Sequence, residues 1–252
     1  RHFVRCAKGT CCVGQSMKFL AIETSTERLS LAVQNDGHIW AFEGAGGAQS
    51  SATLIPAVMD LLQQANLSLP DLNAIAFGRG PGAFTGLRTA CAVAQGLALG
   101  ADLPVLPIDT LLCVAEAART SSERVLVLMD ARMQQVYAAA YEWQDAQWHC
   151  VQAPQLLHPQ AVALPDGWTP STCVIAGNAL TSPDLQDGLQ HLHTSQALKA
   201  ALWPQATPML RLAHAAWLRG DAVDADQALP VYVRDQVALT TAERLALKAA
   251  AA

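Results

Sequence analysis

The sequence predicts an α/β protein of two lobes. Three observations carry that prediction. From residue 18 onward, segments with the two-residue period of strands alternate with segments of helical period. The chain has 252 residues, of which 52% are hydrophobic and only 15% charged, so there is apolar material for a sizeable core, and a two-lobed unit suits that length. A glycine-rich turn, Gly78-Arg79-Gly80-Pro81-Gly82-Ala83-Phe84-Thr85-Gly86, separates an apolar strand-like run from an apolar helix-like run, a layout typical of α/β units.

The elements follow in order. Lys18 to Glu23 reads as a strand. Leu29 to Gln34 and His38 to Glu43 alternate apolar and polar residues and meet at Asn35-Asp36-Gly37, a hairpin turn signal. After a loop from Gly44 to Ser51, a first helix is expected from Ser51 to Asn66, with Leu54, Ile55, Val58, Met59, Leu61, Leu62 and Ala65 on one broad face. Pro56 falls in its first two turns and argues for a start nearer Leu54 or a kink. Leu72 to Phe77 is a buried strand, Thr85 stands where a helix N-cap belongs, Leu87 to Leu99 is a second helix, and Val105 to Ile108 is a further strand. Three antiparallel-capable strands followed by helix, strand, helix and strand form the first lobe of the ribonuclease-H-like and actin-like ATPase architecture, here 17–109.

A second lobe, 110–236, opens with a helix from Leu111 to Arg119. Strands follow at Arg124 to Met129, Gln135 to Tyr141 and Trp148 to Val151. Weakly patterned, proline-rich sequence runs from Pro154 to Pro208, interrupted by a strand near Cys173 to Ala176; a helix follows at Met209 to Arg219. Residues 1–16, ahead of Met17, read as a start-site artefact or a disordered leader, and 237–252 as a polar, alanine-rich tail.

Composition narrows the function. The net charge is −5 and no basic run stands out, so avid nucleic-acid binding by this chain alone is not expected. No apolar run reaches bilayer length, and a cytoplasmic protein is expected. Cys6, Cys11 and Cys12 lack zinc-ligand spacing, while Cys91, Cys113, Cys150 and Cys173 read as buried reduced thiols. No two histidines share a helix face at i, i+4, and His191 and His193 read as a solvated loop. No metal site is expected.

The glycine turn admits two readings. It is either an anion cradle, with free N–H groups at a helix start, or a tight connection without a ligand. The P-loop pattern fails, since no lysine lies between Lys18 and Lys199. Gly78, Gly80 and Ala83 match the dinucleotide fingerprint weakly, with Pro81 inside it. Arg79 and Arg88 flank the turn, either as phosphate or partner contacts or as ordinary loop arginines. Asp130 and Arg132 either face a cleft or form a local surface pair. Between Arg88 and Asp102 the second helix has no charge at all. Such a helix is either buried on all sides within its lobe or, with the first helix, forms a docking surface for another chain.

These residues carry a resemblance. Phe19-Leu20-Ala21-Ile22-Glu23-Thr24-Ser25-Thr26, the turn from Gly78 to Arg88, Ala94-Gln95-Gly96-Leu97-Ala98, Asp130-Ala131-Arg132-Met133 with Val136-Tyr137, and Pro230-Val231-Tyr232-Val233-Arg234 together resemble the bacterial TsaB (YeaZ) family over about residues 17–236. The resemblance implies a two-lobed member of the chaperone, actin and sugar-kinase fold. It implies a non-catalytic partner of the paralogue TsaD that, with TsaE, supports threonylcarbamoyl transfer to adenosine 37 of ANN-decoding tRNAs. It implies docking on TsaD, and self-association, through the first two helices: Leu54, Val58, Met59 and Leu62 on one, Thr85, Gly86, Thr89, Ala90, Val93, Ala94 and Leu97 on the other.

The transferase paralogue carries a His-x-x-x-His pair at its first helix, whereas Gln49-Ser50-Ser51-Ala52-Thr53-Leu54 has no histidine. No catalytic residue is therefore expected. A degenerate nucleotide or phosphate loop would comprise Glu23, Thr24, Ser25, Gly78, Arg79, Gly80, Gly82 and Arg88, with Glu23 where most of the family has Asp. This chain alone is expected to hold no cofactor strongly, with ATP or ADP and magnesium entering at the level of the complex, tRNA reached indirectly and no membrane contact. The alternative is an independent actin-like Mg-ATP phosphotransferase or ATPase. Tyr232 and Arg234 either pin the C-terminal segment to the lobe or line a partner contact.

Overall fold

The computed structural model describes residues 17–47, 50–119, 122–192 and 198–234. The expected leader with Cys6, Cys11 and Cys12, residue Gln49, His193 and the 237–252 tail lie outside these residues.

The first sheet is built from β1 (Phe19–Glu23), β2 (Arg28–Asn35), β3 (His38–Ala45), β4 (Ala74–Gly80) and β5 (Val105–Asp109), in the order β3-β2-β1-β4-β5. β1, β4 and β5 run parallel, while β2 and β3 form the antiparallel extension. The hairpin turns at Asp36 and Gly37, both with positive φ, as a two-residue primed turn requires. This is the ribonuclease-H-like lobe.

Each strand presents alternate residues to two faces. Leu20, Ile22, Leu31 and Phe77 pack under α1 (Ser50–Gln64) and α2 (Phe84–Ala101). Phe19, Ala21, Ala32 and Ala76 pack against Met209, Leu210 and Ala213 of α5 (Ala206–Arg219). Small alanines on that face let α5 lie close to the sheet. Helix α5 therefore completes the first lobe although it lies some hundred residues downstream, and Val223 pairs with Val105 as the chain returns. The expected division at 109/110 does not separate two packing units.

The second sheet has the order β10-β9-β6-β7-β8, from β6 (Arg124–Asp130), β7 (Val136–Gln144), β8 (Gln147–Leu157), β9 (Val174–Ala176) and β10 (Leu198–Ala200). One face, with Val125, Val127 and Met129, covers α3 (Thr110–Ala118). The other, with Leu126 and Leu128, is closed by Val162, Trp168, Leu185 and Leu189 from the proline-rich stretch. That stretch contains α4 (Pro183–Gln186) and several single-turn helices.

Several expectations are corrected. Helix α1 begins at Ser50 and runs through Pro56 rather than starting near Leu54. The N-cap of α2 is Ala83, with no side-chain cap bond, and Thr85 lies inside the first turn. Cys150 is exposed, unlike Cys91, Cys113 and Cys173. His191 is exposed, as expected, but sits in a six-residue 3-10 helix (Asp187–Leu192) rather than a loop, with Nε2 2.8 Å from the Val162 carbonyl oxygen.

Candidate docking face and glycine-loop cleft

The end of β1 and the glycine turn are packed on one another. Glu23 is buried and hydrogen-bonded. Its Oε1 accepts the backbone N–H of Ser25 at 2.6 Å, and Thr110 Oγ1 lies 3.5 Å from Oε2. A Cβ at Gly78 would stand 2.0 Å from that same Oε2. Burial raises the Glu23 pKa above the usual carboxylate value, with the hydrogen bonds from Ser25, Thr110 and Thr24 offsetting part of the rise. Thr24 Oγ1 donates to the Gly86 carbonyl at 2.7 Å, and Ala83 N–H donates to the Ser25 carbonyl at 2.7 Å. Cβ atoms at Gly82 and Gly86 would come within 2.6 Å of Ser25 Cβ and 1.9 Å of the Thr24 carbonyl oxygen. These glycines serve close backbone approach.

The turn is thus a tight backbone connection between β4 and α2. The cleft between it and the second lobe has two adjoining parts: one of about 60 Å³, lined by Ser25, Gly82, Asp130, Arg132, Tyr137 and Asn178, and one of about 260 Å³, lined by Pro81, Phe84, Ala131, Tyr137 and Val233. Asp130 and Arg132 do face this cleft, and they are also a local pair: Asp130 Oδ1 accepts the Arg132 N–H at 2.7 Å, with the guanidinium 4.0 Å from Oδ2. Glu23 is engaged by its own turn, Ser25 Oγ is buried there with no hydrogen-bond partner among the described residues, and among the described residues no three His, Cys, Asp or Glu side chains converge.

The flanking arginines are occupied elsewhere. Arg79 Nε bonds Asp109 Oδ1 at 2.6 Å and turns to a different cavity. Arg88 lies 3.8 Å over the Phe84 ring and bonds the Tyr232 hydroxyl at 3.2 Å. Tyr232 stacks on Phe84 with ring centroids 5.0 Å apart, and Val231 N–H bonds the Arg79 carbonyl. Arg234 bonds the Ala131 carbonyl and Gln135 Oε1 in the second lobe. Residues 228–234 are thus a strap from α2 to the second lobe, which is the pinning role expected of Tyr232 and Arg234.

Helix α2 is not buried on all sides. Gly86, Leu87, Ala90, Cys91, Ala94 and Ala98 face inward, while Ala92, Gly96 and Leu99 lie at the surface, Leu99 with 79% exposure. On α1, Ile55 and Met59 are 40% and 51% exposed. The two helices leave an outward face whose α2 half has no charge from Thr89 to Ala101. This corrects the residues expected to dock. Leu54, Val58, Leu62, Gly86, Ala90 and Ala94 belong to the lobe's own core and are not available to another chain. Val93 and Leu97 are partly buried against it. Met59 and Thr85 are exposed, and Thr89 Oγ1 caps the Thr85 carbonyl at 3.0 Å.

Ile55, Ala92, Gly96 and Leu99, exposed on this face, were not among the residues expected to dock; on α2 the inward and outward positions are both apolar or small, so the pattern does not distinguish them. Also missed was Glu116 on α3, 2% exposed, which accepts Arg119 Nε at 3.1 Å, Trp148 Nε1 at 2.8 Å and Arg211 Nε. Its signal was available: it is the lone charge in the run Leu111 to Ala118.

Known proteins resemble the chain as follows. The family model described as TsaD, tRNA N6-adenosine threonylcarbamoyltransferase, matches residues 46–240. The tRNA threonylcarbamoyladenosine biosynthesis protein TsaB of Escherichia coli (strain K12) is 37% identical over 233 residues, covering 88% of this chain and 96% of the relative. The protein of the same name from Haemophilus influenzae is 32% identical over 243 residues with the same coverage. Among solved structures, YeaZ from Pseudomonas aeruginosa superimposes with a TM-score of 0.76 at 37% identity, covering 86% of this chain and 99% of that one.

Proposed function

The chain belongs to the TsaB (YeaZ) family, and from that premise we propose that it acts in tRNA N6-threonylcarbamoyladenosine synthesis as a non-catalytic scaffold. It binds a TsaD-type transferase paralogue, works with TsaE in the cytoplasm, and meets tRNA through the complex. The name of its relatives, a threonylcarbamoyladenosine biosynthesis protein, supports the pathway. The observation that carries the scaffold role is the outward face of α1 and α2. A helix without charge over three turns, exposed along Ala92, Gly96 and Leu99, leaves apolar surface that a partner covers. Small residues there let a partner helix approach closely. The same face serves self-association when the partner is absent.

The alternative, an independent Mg-ATP phosphotransferase, finds no support in the turn around Glu23, whose carboxylate is held inward. Any magnesium-nucleotide belongs to the level of the complex.

Ala92→Arg tests the reading. Ala92 is exposed, so a charge there leaves the fold intact and sits in the contact. Co-elution and calorimetry with purified TsaD from the same organism are expected to show binding weakened at least about tenfold, or about 1.4 kcal/mol, at unchanged melting temperature. Wild-type affinity in the folded variant removes the docking face. Threonylcarbamoyl transfer to tRNA by the isolated chain removes the scaffold role.

A further inference from the structure

A cavity lined by two tryptophans and several arginines lies away from both the docking face and the glycine turn. It encloses about 800 Å³ between the outer edge of β5, helices α3 and α5, and the β7–β8 hairpin. That volume is within the range of small-molecule sites. Two kinds of side chain line it. Trp143 and Trp148 meet edge to face, ring centroids 5.4 Å apart, and Leu106, Leu112 and Leu212 continue the apolar wall. Against them stand Arg79, Arg119 and Arg211.

The arginines are held in a shared manner. Each is bonded to a carboxylate through Nε: Arg79 to Asp109, Arg119 and Arg211 both to Glu116. Neither Nη of any of the three has a hydrogen-bond partner among the described residues. Anchoring by Nε orients a guanidinium and leaves its outer N–H groups for a second acceptor. Glu116 is almost wholly buried and takes a third bond from Trp148 Nε1. One buried carboxylate thus fixes two guanidiniums and an indole in the wall of a single cavity, which is how preorganised binding groups are supported.

The charges select the ligand. Four arginines and four carboxylates line the cavity: Arg79 is balanced by Asp109 and Arg219 by Asp221, whereas Arg119 and Arg211 share the one buried carboxylate of Glu116, so the positive excess is local to that wall. The other carboxylate of the lining, Asp145, is exposed at the hairpin tip, where solvent and salt screen it. The geometry points to a binding site for a small anion carrying an aromatic ring, of the class of a nucleoside monophosphate, with the phosphate on the free guanidinium nitrogens and the ring against the indoles.

The test is titration of the purified chain with AMP, GMP, CMP and UMP, followed by calorimetry and tryptophan fluorescence. At least one is expected to bind saturably and to change the indole emission, with its nucleoside and inorganic phosphate each binding at least about tenfold more weakly. Ala215→Phe, which fills the cavity from a half-buried position on α5, and Arg79→Gln are each expected to weaken binding at least about tenfold at unchanged circular dichroism. Ser25→Ala, at the glycine turn, is expected to leave it unchanged. The inference is overturned if none of the four binds, if binding is indifferent to both cavity variants, or if Ser25→Ala removes it. None of these outcomes touches the docking reading, whose test is affinity for TsaD.

Discussion

Glu23 is a carboxylate buried with no cation beside it among the described residues; hydrogen bonds there oppose the desolvation that raises its pKa. Linkage gives the sign. The unfolded group titrates near 4.5 and the folded group above that, so the native state holds the proton over the interval between them. Stability from this site is complete below the unfolded value and is lost as pH rises through the folded one. Glu23→Gln keeps an acceptor for Ser25 N–H and removes the charge. It is expected to raise the melting temperature at neutral pH and to match the wild type near pH 4, as read by thermal unfolding across pH. Tyr141 offers a second residue-level case, its hydroxyl buried with no hydrogen-bond partner among the described residues. An unsatisfied buried hydroxyl costs about 1–3 kcal/mol, so Tyr141→Phe is expected to stabilise by about 1 kcal/mol in denaturant titration. Neither burial was legible in the sequence. Glu23 is the last residue of an apolar strand, as solvated strand ends often are, and what buries it is the missing side chain of Gly78 and the start of α3, both distant along the chain.

Helix α2 shows what periodicity conveys and where it stops. The absence of charge between Arg88 and Asp102 was plain in the sequence, as was the strand before it. Which residues point outward was not, because an apolar residue stands at both inward and outward positions, and the choice rests on the tertiary contacts of β4 and α1. The N-cap was misplaced for a related reason. The start of α2 is set by the backbone of Ala83 bonding Ser25 and by Gly86 lying against Thr24, contacts that replace a side-chain cap. That packing makes Gly86 the sensitive point of the element. A methyl there would meet the Thr24 carbonyl oxygen at 1.9 Å, backbone against backbone, with no flexible side chain to give way. Gly86→Ala is expected to destabilise by about 2–3 kcal/mol, and hydrogen exchange is expected to accelerate first at the α2 N-terminus and the 24–25 turn. Ala substituted at Gly96, where nothing lies within 4 Å, is the control, expected to be neutral or stabilising by about 1 kcal/mol through helix propensity.

At the scale of the molecule, the succession of strands and helices in the first lobe followed from the sequence, because each strand is local and its pattern is clear. The closure of that lobe by α5 did not, since an amphipathic helix states that it has a partner without stating which one. The consequence is that the two lobes are sewn together. Helix α5 is core to the first sheet, α3 is core to the second, and Glu116 on α3 holds Arg211 of α5 and Trp148 of β8 at once. Two lighter stitches lie elsewhere: Trp203 Nε1 on Glu27 with Arg28 over its ring, and the strap from α2 to Ala131 and Gln135. Removing Glu116 takes the shared acceptor from Trp148 Nε1 and from two arginines that solvent partly reaches, a cost of about 1–3 kcal/mol for the buried hydrogen bonds, here at the junction rather than inside either core. The wild type is expected to unfold in one cooperative transition. Glu116→Ala is expected to lower the melting temperature and to resolve two transitions in calorimetry, whereas an equally destabilising core variant such as Leu20→Ala is expected to lower a single one. If both variants melt in one step, the lobes are coupled through the shared apolar contacts of Leu112 and Trp148, and Glu116 is not what joins them.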